Sequence, residues 1–351
     1  MTRSIAAPSR PLGRALALCV LLFAGRGARA ADDIVTFAVP AMSSTLPSDI
    51  NAAGDVAGTV ADAQINLHGF VRKADGTTAV FDVPGAALTN AAGINRKGQV
   101  SGAYFSAIYH GYLRQADGGI ATYDVPGAVN GTIGGKINAK GAVVGTWLDE
   151  NKAYRGFLRT AKGKIVMFDA PDAGFGEAQG TRPTNINVHG EVVGNYVDAD
   201  GAVHGFLRDA AGNIAAFDVG GAGSGPQQGT MPLGIRDDGI VAGSFVDEDG
   251  MSHGFVRAAD GAIATVDVPG HGNQGTTALV QDDRGRVLGR WVDALDIIHG
   301  FVLQLSGKIH KFDVPGADGS FRGATTACAH TGICVGEYTD ATGMHGFIRK
   351  R

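Results

Sequence analysis

The sequence is poor in several features on which enzymes and membrane proteins commonly depend. Cysteine occurs three times, and Cys19 lies in an N-terminal apolar stretch, which leaves Cys328 and Cys334 to pair with each other. Charged residues make up 18% of the chain and the net charge is -4, so the basic stripe expected of a nucleic-acid-binding protein is lacking. After residue 30 no apolar run is long enough to span a bilayer as a helix, and no membrane insertion is expected. Helical periodicity is lacking as well. His189, His271, His310 and His330 are scattered without metal-ligand spacing, so neither a metal nor a cofactor is expected.

Punctuation is what the chain has in abundance. It carries 55 glycines and 12 prolines, spread evenly, and 44% apolar residues, enough for a large core. That combination reads as many short strands. The first thirty residues read as a signal peptide. Arg3, Arg10 and Arg14 precede the apolar stretch Ala15 to Ala24, and Ala28-Arg29-Ala30 offers a small-x-small cleavage site. The mature chain is expected to start at Ala31 and to work in the periplasm or outside the cell. Leu18, before Cys19, is too large for a lipid-attachment site.

Three landmarks recur about every 46 residues. One is His-Gly-aromatic, at His68, His110, His204, His253, His299 and His345, with Arg155 in the remaining copy. Another is Phe-Asp-Val-Pro-Gly, as in Phe81 to Gly85. The third is Ile-Asn-x-x-Gly-x-Val-x-Gly, as in Ile94 to Gly102. Each repeat reads as four short strands, a to d, which is the pattern of a propeller blade. Six units run a-b-c-d, and the last stops after strand c. The missing strand stands at the other end, as Ile34 to Pro40. A ring needs such a latch to cover its edges. The expectation is an all-β, seven-bladed β-propeller of four antiparallel strands per blade, one domain over residues 31–351, closed by the N-terminal strand.

The His-Gly-Phe and Ile-Asn-x-x-Gly-x-Val-x-Gly units resemble the bacterial probable extracellular repeat of the HAF type, over Ile34 to Arg351. This chain has Gly where that family's name has Ala. The resemblance implies export and a β-propeller-like repeat. It carries no reaction and no catalytic residues.

A Gly eight residues after each His position sets the register of the c–d hairpin. The pairs His68–Asp82, His110–Asp124, His204–Asp218, His253–Asp267 and His299–Asp313 then face each other, and Arg155 faces Asp169. A catalytic triad needs a nucleophile and one site that breaks the symmetry, whereas pairs repeated around a ring read as strand clamps. The aromatics Tyr104, Trp147, Tyr196, Phe245, Trp291 and Tyr338 read as packing between blades. The nearby turn acids, such as Asp198 and Asp247, lack the run of oxygen ligands that a calcium loop needs. Cys328 and Cys334 fall at opposed positions of the last a–b hairpin, roughly 4.5 to 5.5 Å apart, and are expected to form a disulfide.

Loop lengths point to a binding face. The c–d and a–b turns are constant, whereas the d–a connections range from 10 residues (Pro84 to Ile94) to 15 (Pro171 to Ile186, and Gly220 to Ile235). Phe175, Arg182 and Gln227 mark the two longest, and Asp149, Asp198 and Asp247 should lie on the same face. The leading expectation is a non-enzymatic binding module, monomeric, with an unknown ligand or protein partner. The alternative is a propeller hydrolase or lyase acting on a glycan or peptide.

Overall fold

The computed structural model describes residues 33–350, and every regular element in them is a β-strand. The expected signal peptide and its expected cleavage point before Ala31 lie outside these residues. In residues 44–81 the four antiparallel strands a to d are Ser44–Ile50, Val56–Ala61, Leu67–Arg72 and Thr78–Phe81. Residues 88–123, 132–168, 180–217, 229–266 and 271–312 repeat the arrangement. The last group has strands a to c at Ala324–Cys328, Cys334–Asp340 and Gly343–Arg349. Its fourth strand is Ile34–Phe37, antiparallel to strand c, with Ile34 opposite Arg349 and Phe37 opposite Gly346. This pairing stops at Phe37 because the chain then turns, and the Val39 amide donates to Thr45 Oγ1 at 3.1 Å.

Adjacent units interlock through the aromatic of strand d. Within its unit, Phe81 lies opposite Gly69, and a Cβ there would stand 2.6 Å from the ring. Glycine therefore makes room for the ring. The ring then packs edge-on against the strand c aromatic of the next unit, with centroids 6.1 Å apart for Phe81–Tyr112 and 6.0 Å for Tyr123–Phe157. The strand c arginine of that next unit lies over the same ring, Arg114 at 4.8 Å and Arg159 at 4.9 Å. Such contacts contribute about 0.5–1 kcal/mol each where exposed and more when desolvated. The seam between the two ends of the chain has the same construction: Phe37 packs on Phe70 at 6.3 Å, with Arg72 over it at 4.9 Å. One seam departs from the pattern, and it does so on both sides. Val266 replaces the aromatic of the fifth unit and Leu303 the arginine of the sixth.

Two polar series run alongside, and sequence reading did not find either of them. A buried threonine near the start of strand a accepts the amide of the residue before the strand d proline: Val83 N to Thr89 at 3.1 Å, Val125 N to Thr132 at 3.0 Å. The asparagine of Ile-Asn closes its own a–b turn, as when Asn51 Oδ1 accepts the amides of Ala53 and Asp55, each at 3.0 Å. Its Nδ2 then donates to the corresponding carbonyl of the next unit: Asn51 to Asn95 at 3.0 Å, Asn95 to Asn138 at 3.1 Å, and Asn138 to Asn187 at 2.8 Å. Arg236 continues the series to Asp282 O. Strand a also carries a β-bulge in each unit, between Pro47 and Asp49 in the first.

Cys328 and Cys334 are paired residues of the last a–b hairpin and form a disulfide. Their Cα atoms are 4.0 Å apart, closer than expected from an unlinked pair. Replacing both by alanine is expected to lower the unfolding free energy by about 2 kcal/mol, since the closed loop is short. Urea denaturation measures this, and intact-mass analysis of the wild type should find no free thiol. Deleting residues 33–41 removes Phe37 and Val39 and bares the edge of Gly343–Arg349. A loss of at least about 3 kcal/mol is expected, comparable to truncating one buried Phe. A truncated protein that melts with the wild type would mean that this strand contributes nothing.

Candidate functional site

The connections sort to two edges of the molecule. The b–c turns and d–a connections hydrogen-bond to one another: Ser43 N donates to Ala61 O at 2.8 Å, Ala87 N to Phe105 O at 2.7 Å, and Gly174 N to Val197 O at 2.9 Å. The a–b and c–d turns meet at the other edge, where Ala74 N donates to Asp55 Oδ1 at 3.0 Å and Gln99 Nε2 to Gln115 Oε1 at 2.8 Å.

Exposed apolar side chains gather on the first edge. Ile65 is 79% exposed, Leu295 78%, Val129 61% and Phe175 60%, and Tyr109 joins them. Among the described residues, Leu305 is the exposed large apolar residue that lies on a turn of the opposite edge. Ile65 is unusual in a second way. It has φ 66°, in the left-handed region, at a turn position filled by Gly201 and Gly250 in the fourth and fifth units. A β-branched residue is poorly suited to that conformation.

The two longest d–a connections are built alike. Gln179 Oε1 accepts the Gly176 amide at 2.9 Å while its Nε2 donates to Ala199 O at 2.9 Å. Gln228 does the same with Gly225 at 3.0 Å and Glu248 O at 2.9 Å. Gln227 turns the second connection with φ 65° and donates its amide to Gly201 O at 2.9 Å. Phe175 projects from the first, with the Arg155 guanidinium 4.6 Å from its ring centre. Arg182 lies over Tyr154 at 4.3 Å and donates to Ala178 O.

The acids Asp149, Asp198 and Asp247 also lie on this edge, and their carboxylates are engaged internally. Asp198 Oδ1 accepts the amides of Asp200 and Ala202 at 2.9 and 2.8 Å, and Oδ2 lies 3.3 Å from His204 Nε2. Asp247 caps Met251 N at 2.8 Å and meets His253 Nε2 at 3.1 Å. Asp149 holds Arg155 Nε at 3.0 Å. The strand c cation is therefore held from both sides. On its other side His204 Nδ1 is 2.9 Å from Asp218, His253 Nδ1 is 3.0 Å from Asp267, and Arg155 Nη1 is 2.8 Å from Asp169. His68 Nδ1 is 2.9 Å from Asp82, and its Nε2 stands 3.6 Å from Asp62. His299 lies between Asp313 and Asp293, with Nε2 at 3.2 Å from the latter. His110 has Asp124 at 2.9 Å, and its b–c turn supplies no acid. The strand b aromatics, read from sequence as packing between blades, also stack on these rings. Tyr196–His204 centroids are 5.0 Å apart, Phe245–His253 4.9 Å and Trp291–His299 4.6 Å. Sequence reading found the strand d acid and missed the second one, whose signal is an Asp six residues before the His, as in Asp198–His204.

An imidazole with carboxylates at both nitrogens can donate from both only as the cation. The hydrogen bond to Asp82 raises the pKa of His68, against burial. For His204 and His253, burial pulls down, but the hydrogen bonds and charges of their two aspartates outweigh it, and the net shift is upward. Among the turn acids, Asp247 is lowered first by the Met251 amide and then by His253. Burial works against Asp198, whose pKa is still lowered by His204 and the turn amides. Burial raises Asp169 despite Arg155.

No known family profile matches the chain, and no curated protein matches it. Solved structures do. A streptogramin B lyase is 14% identical over 90% of this chain and 97% of its own, with TM-score 0.60. A catalytically inactive virginiamycin B lyase from Staphylococcus aureus, with quinupristin, is 16% identical over 91% and 99%, with TM-score 0.59. A lectin from Burkholderia pseudomallei is 11% identical over 88% and 96%, with TM-score 0.53. These likenesses identify the fold as β-propeller-like and carry no activity to this chain.

The pKa directions fix the pH dependence of stability. Raised histidines contribute stability fully below about pH 6.5, and lose it as pH rises through their folded values. Lowered aspartates contribute above about pH 3.9, and lose it as pH falls through theirs. Urea denaturation should therefore show greatest stability between these limits and a decline on the alkaline side. His204→Gln should lower stability at mildly acidic pH and reduce that decline. A wild type whose stability is flat across pH 6.5 would mean that the clamps are not ionic.

Proposed function

We propose that residues 31–351 form an exported, closed seven-bladed propeller that acts as a non-enzymatic binding module. Closure is supported by the Phe37–Phe70–Arg72 seam, built like those between consecutive units. Export is supported by the leader read in the sequence and by the Cys328–Cys334 disulfide. Among the described residues no helix is long and apolar enough to cross a membrane. The HAF-type resemblance points the same way and rests on its motifs alone.

The binding surface is the edge of the b–c turns and d–a connections, and its partner is a protein. The observation that carries this reading is Ile65, an exposed β-branched residue in a left-handed turn position that equivalent turns fill with Gly201, Gly250, Lys152 or Asp296, none of them β-branched. Strain of this kind costs on the order of 1 kcal/mol or more, and a folding role does not account for an exposed side chain. Phe175, Val129, Tyr109 and Leu295 spread the apolar character across several units, which suits a broad protein surface more than a small ligand. The acids on this edge and Arg155 are satisfied internally, so contact rests on the apolar tips, Phe175 among them.

Two experiments test this reading. Ile65→Gly should raise the unfolding free energy by about 1 kcal/mol while weakening partner capture. Photo-crosslinking residues placed in cells at positions 65, 175 and 295 should trap a common protein, and one placed at 305, on the opposite edge, should not. Equal adducts from all four positions, or none from the first three, would refute the assignment.

A further inference from the structure

Strand a of every unit contributes to one cavity of about 690 Å³ that opens on the edge of the a–b turns, away from the apolar edge just described. Most interior positions of this protein repeat from unit to unit. The cavity wall does not. At the position before the Ile of strand a stand Asp49, Gly93, Lys136, Asn185, Gly234, Val280 and Ala327 in the successive units.

Two of the polar wall residues serve the fold. Thr184 donates to Pro232 O at 2.7 Å and Asn185 to Leu233 O at 3.3 Å, each joining neighbouring units. Lys136 is different. Because Gly93 has no side chain, the ammonium reaches past the second unit to Asp49 Oδ1 at 3.2 Å and Ser48 O at 3.0 Å in the first. Asp49 Oδ2 accepts the Ile94 amide at 3.0 Å. An ammonium has three N–H donors, so one is left over after these two contacts. Both side chains are partly open to the cavity. The fifth and sixth units supply an apolar wall to the same space, through Leu233, Leu279 and Val280.

We infer that this cavity binds a small neutral molecule with an amide or hydroxyl end on an apolar body, the polar end held by Lys136 and Asp49 and the body against Leu233 and Leu279. Neutrality follows from the pairing of charge. Lys136 is matched by Asp49, and Arg236 at the mouth is matched by Asp238 at 2.8 Å. Arg96, Asp237 and Asp283 stand at the turns of the mouth, but on the strand a wall Lys136 and Asp49 are the charged side chains and they pair with each other, so an ionic ligand inside would lose its hydration without meeting an uncompensated opposite charge. The volume lies within the range of small-molecule sites.

The probe is N-acetyl-leucyl-leucinamide, with the carboxylate N-acetyl-leucyl-leucine as its charged analogue. Saturation-transfer NMR on the full mature chain should show transfer to the isobutyl methyls of the amide, and weaker transfer to the carboxylate. Lys136→Met should weaken binding roughly tenfold, the loss of one hydrogen bond to a charged group. Leu279→Trp, which fills the space, should abolish it. If that variant does not fold, Leu233→Ser tests the same wall. Phe175→Ala, on the other edge, should leave the affinity unchanged. No transfer to the amide at millimolar concentration, tighter binding of the carboxylate, or binding indifferent to Lys136→Met and to the wall variant would each overturn the proposal.

Discussion

The structure depends on one contact: an aromatic ring on the outer strand of every unit but the fifth, lodged over the glycine of its own strand c and under the arginine of the next unit. A four-stranded sheet this small buries too little to stand alone. The ring gives each sheet a partner on its open face. Glycine is required because a Cβ at Gly69 or Gly300 would occupy the ring's volume, 2.6 and 2.0 Å from its nearest atom. Arginine follows because its guanidinium sits over the ring, Arg114 at 4.8 Å from the Phe81 centre, while Nη1 donates to Gln115 O at 3.2 Å. The fifth-to-sixth seam, with Val266 and Leu303, supports this coupling: where the ring is lost, the cation over it is lost too.

A scaffold held by repeated contacts makes departures from the repeat informative. Arg155 for His, the β-branched Ile65 in a left-handed turn and the Lys136–Asp49 bridge each depart from what the other units place there. They fall in two places, the turn edge and the cavity wall, where a side chain can meet something other than its own chain. The double aspartate clamps are polar and suggest chemistry, yet they recur unit after unit, stacked under aromatics and closed by turn amides. Their role is to fix the hairpins.

Strand order, hairpin register, the joining of the two chain ends and the cysteine pair were all legible in the sequence. Each rests on local rules: a left-handed glycine sets a turn, and a turn sets the residues opposite one another. What escaped was contact between units. The Thr89 cap and the Asn51-to-Asn95 amide series join residues whose proximity depends on how sheets stack, and no spacing within one repeat encodes that. The bulge in strand a was missed for a related reason. It is visible only as a register shift against strand b, and it turns Asp49 and Lys136 toward the cavity. Asp198 was noticed as a turn acid, but its reach to His204 needs the three-dimensional turn.

The pairing of Ile34–Phe37 with Gly346–Arg349 has a kinetic meaning as well as a structural one. Its partners are more than three hundred residues apart in the chain, whereas almost every other ladder joins neighbours in sequence. Local hairpins can form in any order and at low entropic cost, but this one must wait for both ends to be present and ordered. Until then the Gly343–Arg349 edge stays bare and able to accept a strand from another molecule. The time a newly made chain spends in that state, rather than its final stability, would set its tendency to join with copies of itself.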